Sequence, residues 1–227
     1  GNSSTESSPD VWGEFISMGK NIIYDTTGAV IIGEIENNLY GIDPSIKDPE
    51  KYGENTIHCP LNANSPAIDQ AKINQIVSTD QLGYNRSLDG NNDGVALPDI
   101  GAVEYFEDTD SDGVSDIQEQ GINGDVGNYD GNNDGIADKT QSNVASFAIY
   151  SGEHYITIAS PEKTRISQVH ALPYPLSGLK NSNETSELGY FTFTVDSTQL
   201  ADALIVSVYL PNNLTAVDYT NYGPPTS

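Results

Sequence analysis

The chain has 227 residues, 33 of them Asp or Glu against 9 Lys or Arg, for a formal net charge of −24. That balance excludes nucleic acid, which needs a basic face to neutralise phosphates, and disfavours an anionic membrane surface. One cysteine cannot form an intrachain disulfide, and no apolar run approaches the roughly 20 residues of a membrane span, so direct membrane insertion is not expected.

Residues 1–10 read as a polar linker. Across residues 11–105 come short apolar runs bounded by Gly, Asn or Asp: Phe15-Ile16-Ser-Met18, Asn21-Ile22-Ile23-Tyr24 and Ala29-Val30-Ile31-Ile32. None is long enough for a stable helix, and their spacing predicts short strands, as in a β-solenoid of stacked coils or a sandwich. Trp12, beside Val11 and Phe15, is expected in the core, although it could also stack on a sugar.

Residues 106–143 lose apolar residues and fill with Asp, Asn and Gly. A structureless stretch of that length inside a compact domain needs something other than hydrophobic burial to order it. Over residues 144–227 strands return, at Ala145–Ile149, Tyr155–Ala159, Gly189–Val195 and Leu204–Leu210. Phe191-Thr-Phe193-Thr-Val195 alternates like a half-buried antiparallel strand, whereas Ile205-Val-Ser-Val-Tyr209 is continuously apolar and is expected to be central. The strands suit an immunoglobulin-like β-sandwich that looks incomplete, to be finished by downstream sequence or by a neighbour.

The middle stretch carries the chemistry. Asp108-Thr-Asp110-Ser-Asp112-Gly113-Val114-Ser-Asp116-Ile-Gln-Glu119 fits a twelve-residue calcium loop at every position. Carboxylates stand at positions 1, 3, 5, 9 and 12, a glycine at 6, and the Val114 carbonyl at 7. Calcium takes six to eight hard oxygens, alternate residues of a tightly curved loop point inward, and Gly113 permits the turn. A second loop offers Asp130, Asn132, Asp134, the Ile136 carbonyl and Asp138, with neutral Gln141 at position 12. A third offers Asp89, Asn91, Asp93 and the Val95 carbonyl, but Leu97 and Ile100 stand at positions 9 and 12, so Asp99 or Glu104 would have to complete it. Its alternative is a plain Asx/Gly turn. Two Ca²⁺ sites are therefore expected, with the third loop a candidate for one more. Without metal these carboxylates would repel and loosen the segment; with it, ligation supplies the ordering energy.

No catalytic constellation accompanies the loops. His58, His154 and His170 are isolated, Cys59 reads as a small buried hydrophobe, and neither a nucleophile elbow nor a phosphate-binding glycine loop occurs. Arg86, the one Arg near the Asp89 loop, is expected to form a salt bridge to Asp69, Asp80 or Asp99 rather than to act as a lyase base.

Residues 108–141 resemble bacterial thrombospondin type 3-like repeats, without the cysteines of the animal form. Asn64-Ser-Pro-Ala-Ile-Asp69, Thr79-Asp-Gln-Leu-Gly83, Arg86, Asp99-Ile-Gly-Ala-Val-Glu104 and Gly41-Ile-Asp-Pro44 resemble the closing segment of right-handed parallel β-helix proteins of the pectate-lyase-like superfamily. Asp134 to Val144, with Leu210-Pro and Tyr222-Gly-Pro224, resembles the choice-of-anchor U module of large bacterial surface proteins. These resemblances imply an all-β chain: the end of a parallel β-helix (11–105), a calcium-loop connector (106–143) and an incomplete Ig-like β-sandwich (144–227), excised from something longer. The expected role is a non-catalytic, calcium-stabilised scaffold or adhesive segment, secreted or at the cell surface. Its expected partners are other copies or other domains of the same protein, with glycans as a further candidate. The alternative is a fragment of a calcium-dependent polysaccharide lyase or hydrolase, or of a glycan-binding adhesin.

Overall fold

The computed structural model describes residues 9–52, 56–73, 77–172, 188–197 and 204–211. Residues 1–8 of the linker expected over residues 1–10, and the Tyr222-Gly-Pro224 motif, lie outside the described residues. Among these the protein is all-β, every element being a strand except one 3₁₀ turn at Asp138–Thr140. It divides into two compact units, Gly1–Glu107 and Asp108–Ser227.

In the first unit, strands β1 (Gly13–Ser17) and β2 (Ile22–Ile23) are followed by β3 (Ala29–Gly33) and β4 (Leu39–Tyr40). β1 runs parallel to β3 with Gly13 opposite Ala29, and β2 parallel to β4 with Ile22 opposite Leu39. The chain therefore returns over itself every sixteen or seventeen residues. The bend between the two strand pairs is held by stacked amides: Asn21 Nδ2 donates to Asn38 Oδ1 at 2.9 Å, and Asn38 Nδ2 to Ser17 Oγ at 2.9 Å. Buried polar groups are tolerated because they satisfy one another. β5 (Glu50–Tyr52) and β6 (Thr56–His58) form a small antiparallel pair. The unit's core is modest, with Leu61, Ala67 and Ile68 packed by Ile22, Ile100 and Tyr105. Trp12 is not part of it. Its ring lies across Gly28, where an added Cβ would come within 2.4 Å of it, and the residue is 79% exposed. The ring covers backbone that a glycine leaves bare, which apolar neighbours in sequence do not reveal.

In the second unit, β7 (Val144–Ala148), β8 (Tyr155–Ala159) and β11 (Ser207–Tyr209) make one antiparallel sheet. β9 (Thr164–Leu172) and β10 (Tyr190–Ser197) make another, and the two share a core of Ala145, Phe147, Ile156, Ile158, Ile166 and Val169. Burial of each large aliphatic or aromatic side chain here contributes about 1.5–3 kcal/mol. β10 alternates as expected, with Phe191, Phe193 and Val195 against the core. Two features depart from the sequence reading. Among the described residues β8, not the apolar run at Ile205, is central; β11 lies at the edge of that sheet and Ile205 is 76% exposed. Strand β9 was not expected at all. Between Ser167 and His170 it carries one residue more than its partner β10, a bulge at Gln168, whose φ is +56°. Ile166 and Val169 thus both face inward three positions apart, which hides the two-residue period.

The register places Ala145 and Phe147 opposite Ile158 and Ile156 on the core face, and Ser146 opposite Thr157 on the other face. An outer face would ordinarily meet water. Here Ser146 and Thr157 are fully buried, because the acidic loops lie on them.

Candidate metal centre

All three acidic loops are built on one hydrogen-bond scheme. The first-position carboxylate accepts the sixth-position glycine amide: Asp108 from Gly113 (3.0 Å), Asp130 from Gly135 (2.8 Å) and Asp89 from Gly94 (2.8 Å). The third position accepts the fifth amide, Asp110 from Asp112, Asn132 from Asp134 and Asn91 from Asp93. The fifth accepts the seventh, Asp112 from Val114, Asp134 from Ile136 and Asp93 from Val95. The fourth residue is left-handed in each (Ser111 +63°, Asn133 +59°, Asn92 +59°), and so is each sixth-position glycine. Both oxygens of each first-position Asp accept backbone amides, whereas in the first loop Asp110 and Asp112 each shape the turn with Oδ1 and keep Oδ2 without a hydrogen-bond partner.

In the first loop the carboxylates converge. Asp108, Asp110 and Asp112 bring one carboxylate oxygen each within 4.8 Å of one another. Oxygens held about 2.4 Å from one ion are at most about 4.8 Å apart, so one metal ion could reach all three carboxylates. Asp110 Oδ2, Asp112 Oδ2 and Glu119 Oε2 are buried with no hydrogen-bond partner. Glu119 is tied by its other oxygen to the Ser146 amide at 3.2 Å. Asp116, at position 9, takes the Thr109 amide and hydroxyl, with Lys139 Nζ at 3.7 Å. The Val114 side chain keys the loop into the core of the second unit, whereas Ile136 and Val95 at the same position are exposed.

The second loop repeats the arrangement against the sheet. Asp138 Oδ2 accepts the Gly131 amide at 2.9 Å and the Ser146 hydroxyl, while Asp138 Oδ1 and Gln141 Oε1 are buried without partners. Gln141 Nε2 donates to Asp134 Oδ2 at 2.8 Å, so position 12 does reach the loop. Tyr155 braces both loops: its hydroxyl donates to the Gln118 carbonyl at 2.6 Å and its ring meets Tyr129 edge-on.

The third loop differs. Asp99 is not brought to Asp89, Asn91 and Asp93; its two oxygens accept the amides of Asp69 (2.7 Å) and Tyr105 (2.6 Å). Glu104 accepts the Asp99 amide and pairs with Arg86 at 3.0 Å. The ninth-position role falls instead to Asp69, which accepts the amides of Gly90, Asn91 and Leu97. Asp69 was missed as a loop component because it lies far upstream, and only the fold brings it there. Arg86 pairs with Glu104 rather than with Asp69, Asp80 or Asp99, and it also donates to the carbonyls of Gly101 and Asp99 at 2.9 Å each. It ties the unit's end together.

Electrostatics follow from this burial. Asp108, Asp110, Asp112 and Glu119 are all pushed above the usual carboxylate range, first by burial; for Asp110, Asp112 and Glu119, mutual repulsion adds to it. Burial also raises Asp138. Exposed Asp134 is lowered, chiefly by its hydrogen bond from Gln141. A divalent ion reverses the first situation by replacing repulsion with ligation. The oxygen-only donor sets of the first two loops fit a hard cation and offer no soft ligand for zinc or copper. Comparison with protein-family models, with curated proteins and with solved structures finds no match to the chain.

Proposed function

We propose that the chain is a non-catalytic, calcium-stabilised structural segment of a secreted or cell-surface protein, with Ca²⁺ held in the loops at residues 108–119 and 130–141. One observation carries this reading: five buried side-chain oxygens, on Asp110, Asp112, Glu119, Asp138 and Gln141, have no hydrogen-bond partner. Each such oxygen costs about 1–3 kcal/mol unless something ligates it. Asp108, Asp110, Asp112, Asp116, Glu119 and the Val114 carbonyl would hold one ion; Asp130, Asn132, Asp134, Asp138, Gln141 and the Ile136 carbonyl would hold another. The third loop, with Asp89, Asn91, Asp93 and the Val95 carbonyl, shares the scaffold, and Asp69 supplies its missing carboxylate in place of Asp99.

The parallel strand pairs of the first unit support its reading as closing coils of a right-handed parallel β-helix. The two antiparallel sheets around one core support an Ig-like sandwich. Extracellular placement fits calcium modules of modest affinity, which millimolar calcium outside cells keeps filled. No helix among the described residues is long and apolar enough to cross a membrane. The partners we propose are other copies or other domains of the same surface protein.

The test is calorimetric titration of chelator-stripped protein with Ca²⁺, beside thermal melts. We expect two ions and a raised melting temperature; free calcium at about 100 times Kd adds about 2.7 kcal/mol. Identical melting curves and protease resistance with calcium and with chelator would sink the proposal.

A second reading, a glycan-binding adhesin, draws on Trp12, whose ring rests on Gly28 and leaves the residue 79% exposed. A glycan screen in which Trp12→Ala abolishes a hit supports it; no hit with the wild type removes it.

A further inference from the structure

We infer that Ser146, in the middle of β7, is a positioning residue that couples the two metal loops, so that the affinity of each depends on the state of the other. The inference rests on the calcium reading above and adds to it the element through which the loops communicate.

Ser146 is fully buried and is joined to both loops at once. Its amide donates to Glu119 Oε1 at 3.2 Å, and its hydroxyl donates to Asp138 Oδ2. Glu119 is the twelfth position of the first loop and Asp138 the ninth of the second. In both carboxylates the oxygen not held by Ser146, Glu119 Oε2 and Asp138 Oδ1, is the buried one without a partner. One residue therefore clamps one oxygen of each acid and leaves the other for ligation. Such outer partners fix ligand orientation, and their loss commonly costs 10–100-fold in metal affinity.

The hydrogen-bond polarity makes the clamp directional. A serine hydroxyl has one proton, and a carboxylate can only accept it, so at 2.5 Å from Thr157 Oγ1 the Ser146 oxygen must be the acceptor and Thr157 the donor. The Ser146 rotamer is thus set from both sides, by β8 and by the second loop. Ordering the second loop fixes the hydroxyl and with it the β7 backbone at residue 146. The same backbone presents the amide to Glu119, so the first loop then closes on a donor already in place. Ordering entropy spent at one loop is not spent again at the other. Strand β7 is also part of the sandwich core, which makes the coupling a property of the folded sheet and not of the loops in isolation.

The experiment is calcium calorimetry on the full chain in four forms: wild type, Asp110→Asn, Ser146→Ala and the double variant. Asp110→Asn disables the first loop without touching Ser146 or the second. With coupling through Ser146, Asp110→Asn weakens the remaining loop by about fivefold or more in the wild-type background. In the Ser146→Ala background the same change leaves it unaltered. The Ser146 amide resonance, read by NMR, should move on calcium addition in the wild type and in Asp110→Asn alike. A second-loop affinity within about twofold of wild type in Asp110→Asn overturns the inference, as does an equal loss in both backgrounds. If the wild type binds no calcium at all, the functional reading fails first and this one with it; two independent ions defeat this one alone. Should Ser146→Ala fail to fold, the comparison of wild type with Asp110→Asn still decides whether the loops are coupled, and an uncoupled pair overturns the inference.

Discussion

Asp69 accepts the Gly90 amide at 3.4 Å, the position that Asp138 holds towards Gly131 in the second loop and Asp116 towards Thr109 in the first. Three loops of one design thus receive the same carboxylate, twice from the loop's own ninth position and once from a distant segment. Asp69 is buried and serves three amides, so Asp69→Ala leaves those donors in want of an acceptor. We expect a loss of about 2–3 kcal/mol in the first unit and faster amide exchange at Gly90, Asn91 and Leu97. Unchanged protection at those amides would show that Asp69 is not what holds the loop.

Asp112→Asn should have opposite effects with and without metal. Asp112 is buried beside Asp110, and burial with that repulsion keeps its carboxyl protonated well above the usual range. Its folded pKa exceeds the unfolded one, so the metal-free native state takes up a proton on folding, and stability falls as pH rises from about 4. Asn keeps the shape and the acceptor for the Val114 amide, but has no proton to bind. The variant should therefore exceed wild type in metal-free stability at pH 7 by about 1 kcal/mol or more, match it near pH 4, and lose most of the calcium-induced rise in melting temperature. Melts with and without calcium at both pH values check this; a variant less stable than wild type without metal would contradict the account.

The shape of these loops was legible because the pattern is local: carboxylate or amide side chains at alternate positions and Gly113 or Gly135 at the turn are all within twelve residues. The same holds for β10, whose Phe191, Phe193 and Val195 alternate without interruption. What failed to show depends on partners distant in sequence. The bulge at Gln168 breaks the period of β9, and the apolar run at Ile205 gives composition but not position, so an edge strand reads as a central one. Trp12 looked like core because its neighbours are apolar, yet its ring is placed by Gly28. Ser146 and Thr157 carry no signal of their own, since small hydroxyl residues alternating with apolar ones normally mean a solvent face.

The first unit should lose stability as pH rises. Glu104 is pushed up to about 8 and Asp99 to about 6, in both cases first by burial, which outweighs the attraction of Arg86. Unfolded, the two groups would titrate near 4.5 and 3.8. Between those limits the native unit holds more protons than the unfolded chain, so stability is greatest below about pH 4 and declines until about pH 8. Amide protection at Asp99 and Tyr105, corrected for intrinsic exchange and followed from pH 4 to 9, reads the slope. Glu104→Gln, which keeps an acceptor for the Asp99 amide, should flatten it. A slope of the other sign, or one that Glu104→Gln leaves intact, would mean that Arg86 holds Glu104 ionised.

Gly131 shows why the second loop can lie directly on the sheet. A Cβ there would sit 1.9 Å from Thr157 Oγ1 and 2.8 Å from the Tyr129 ring, although its backbone is not left-handed. The glycine is needed for close approach and not for its torsions. Gly131→Ala must push Thr157 or the loop aside, and Thr157 is held by its bond to Ser146 and by the β8 backbone. We expect a loss of about 1–3 kcal/mol, together with weakened calcium binding at the second loop, because Asp138 takes its Oδ2 contacts from the Gly131 amide and from Ser146. Gly127→Ala is the control: no atom lies within 4 Å of the added Cβ, its φ is not left-handed, and neither property should change by more than about 0.5 kcal/mol. Chemical denaturation and calcium titration of the two variants separate the outcomes. Equal behaviour of Gly131→Ala and Gly127→Ala would mean that the loop does not rest on Thr157, and the buried face of the sheet would need another cover.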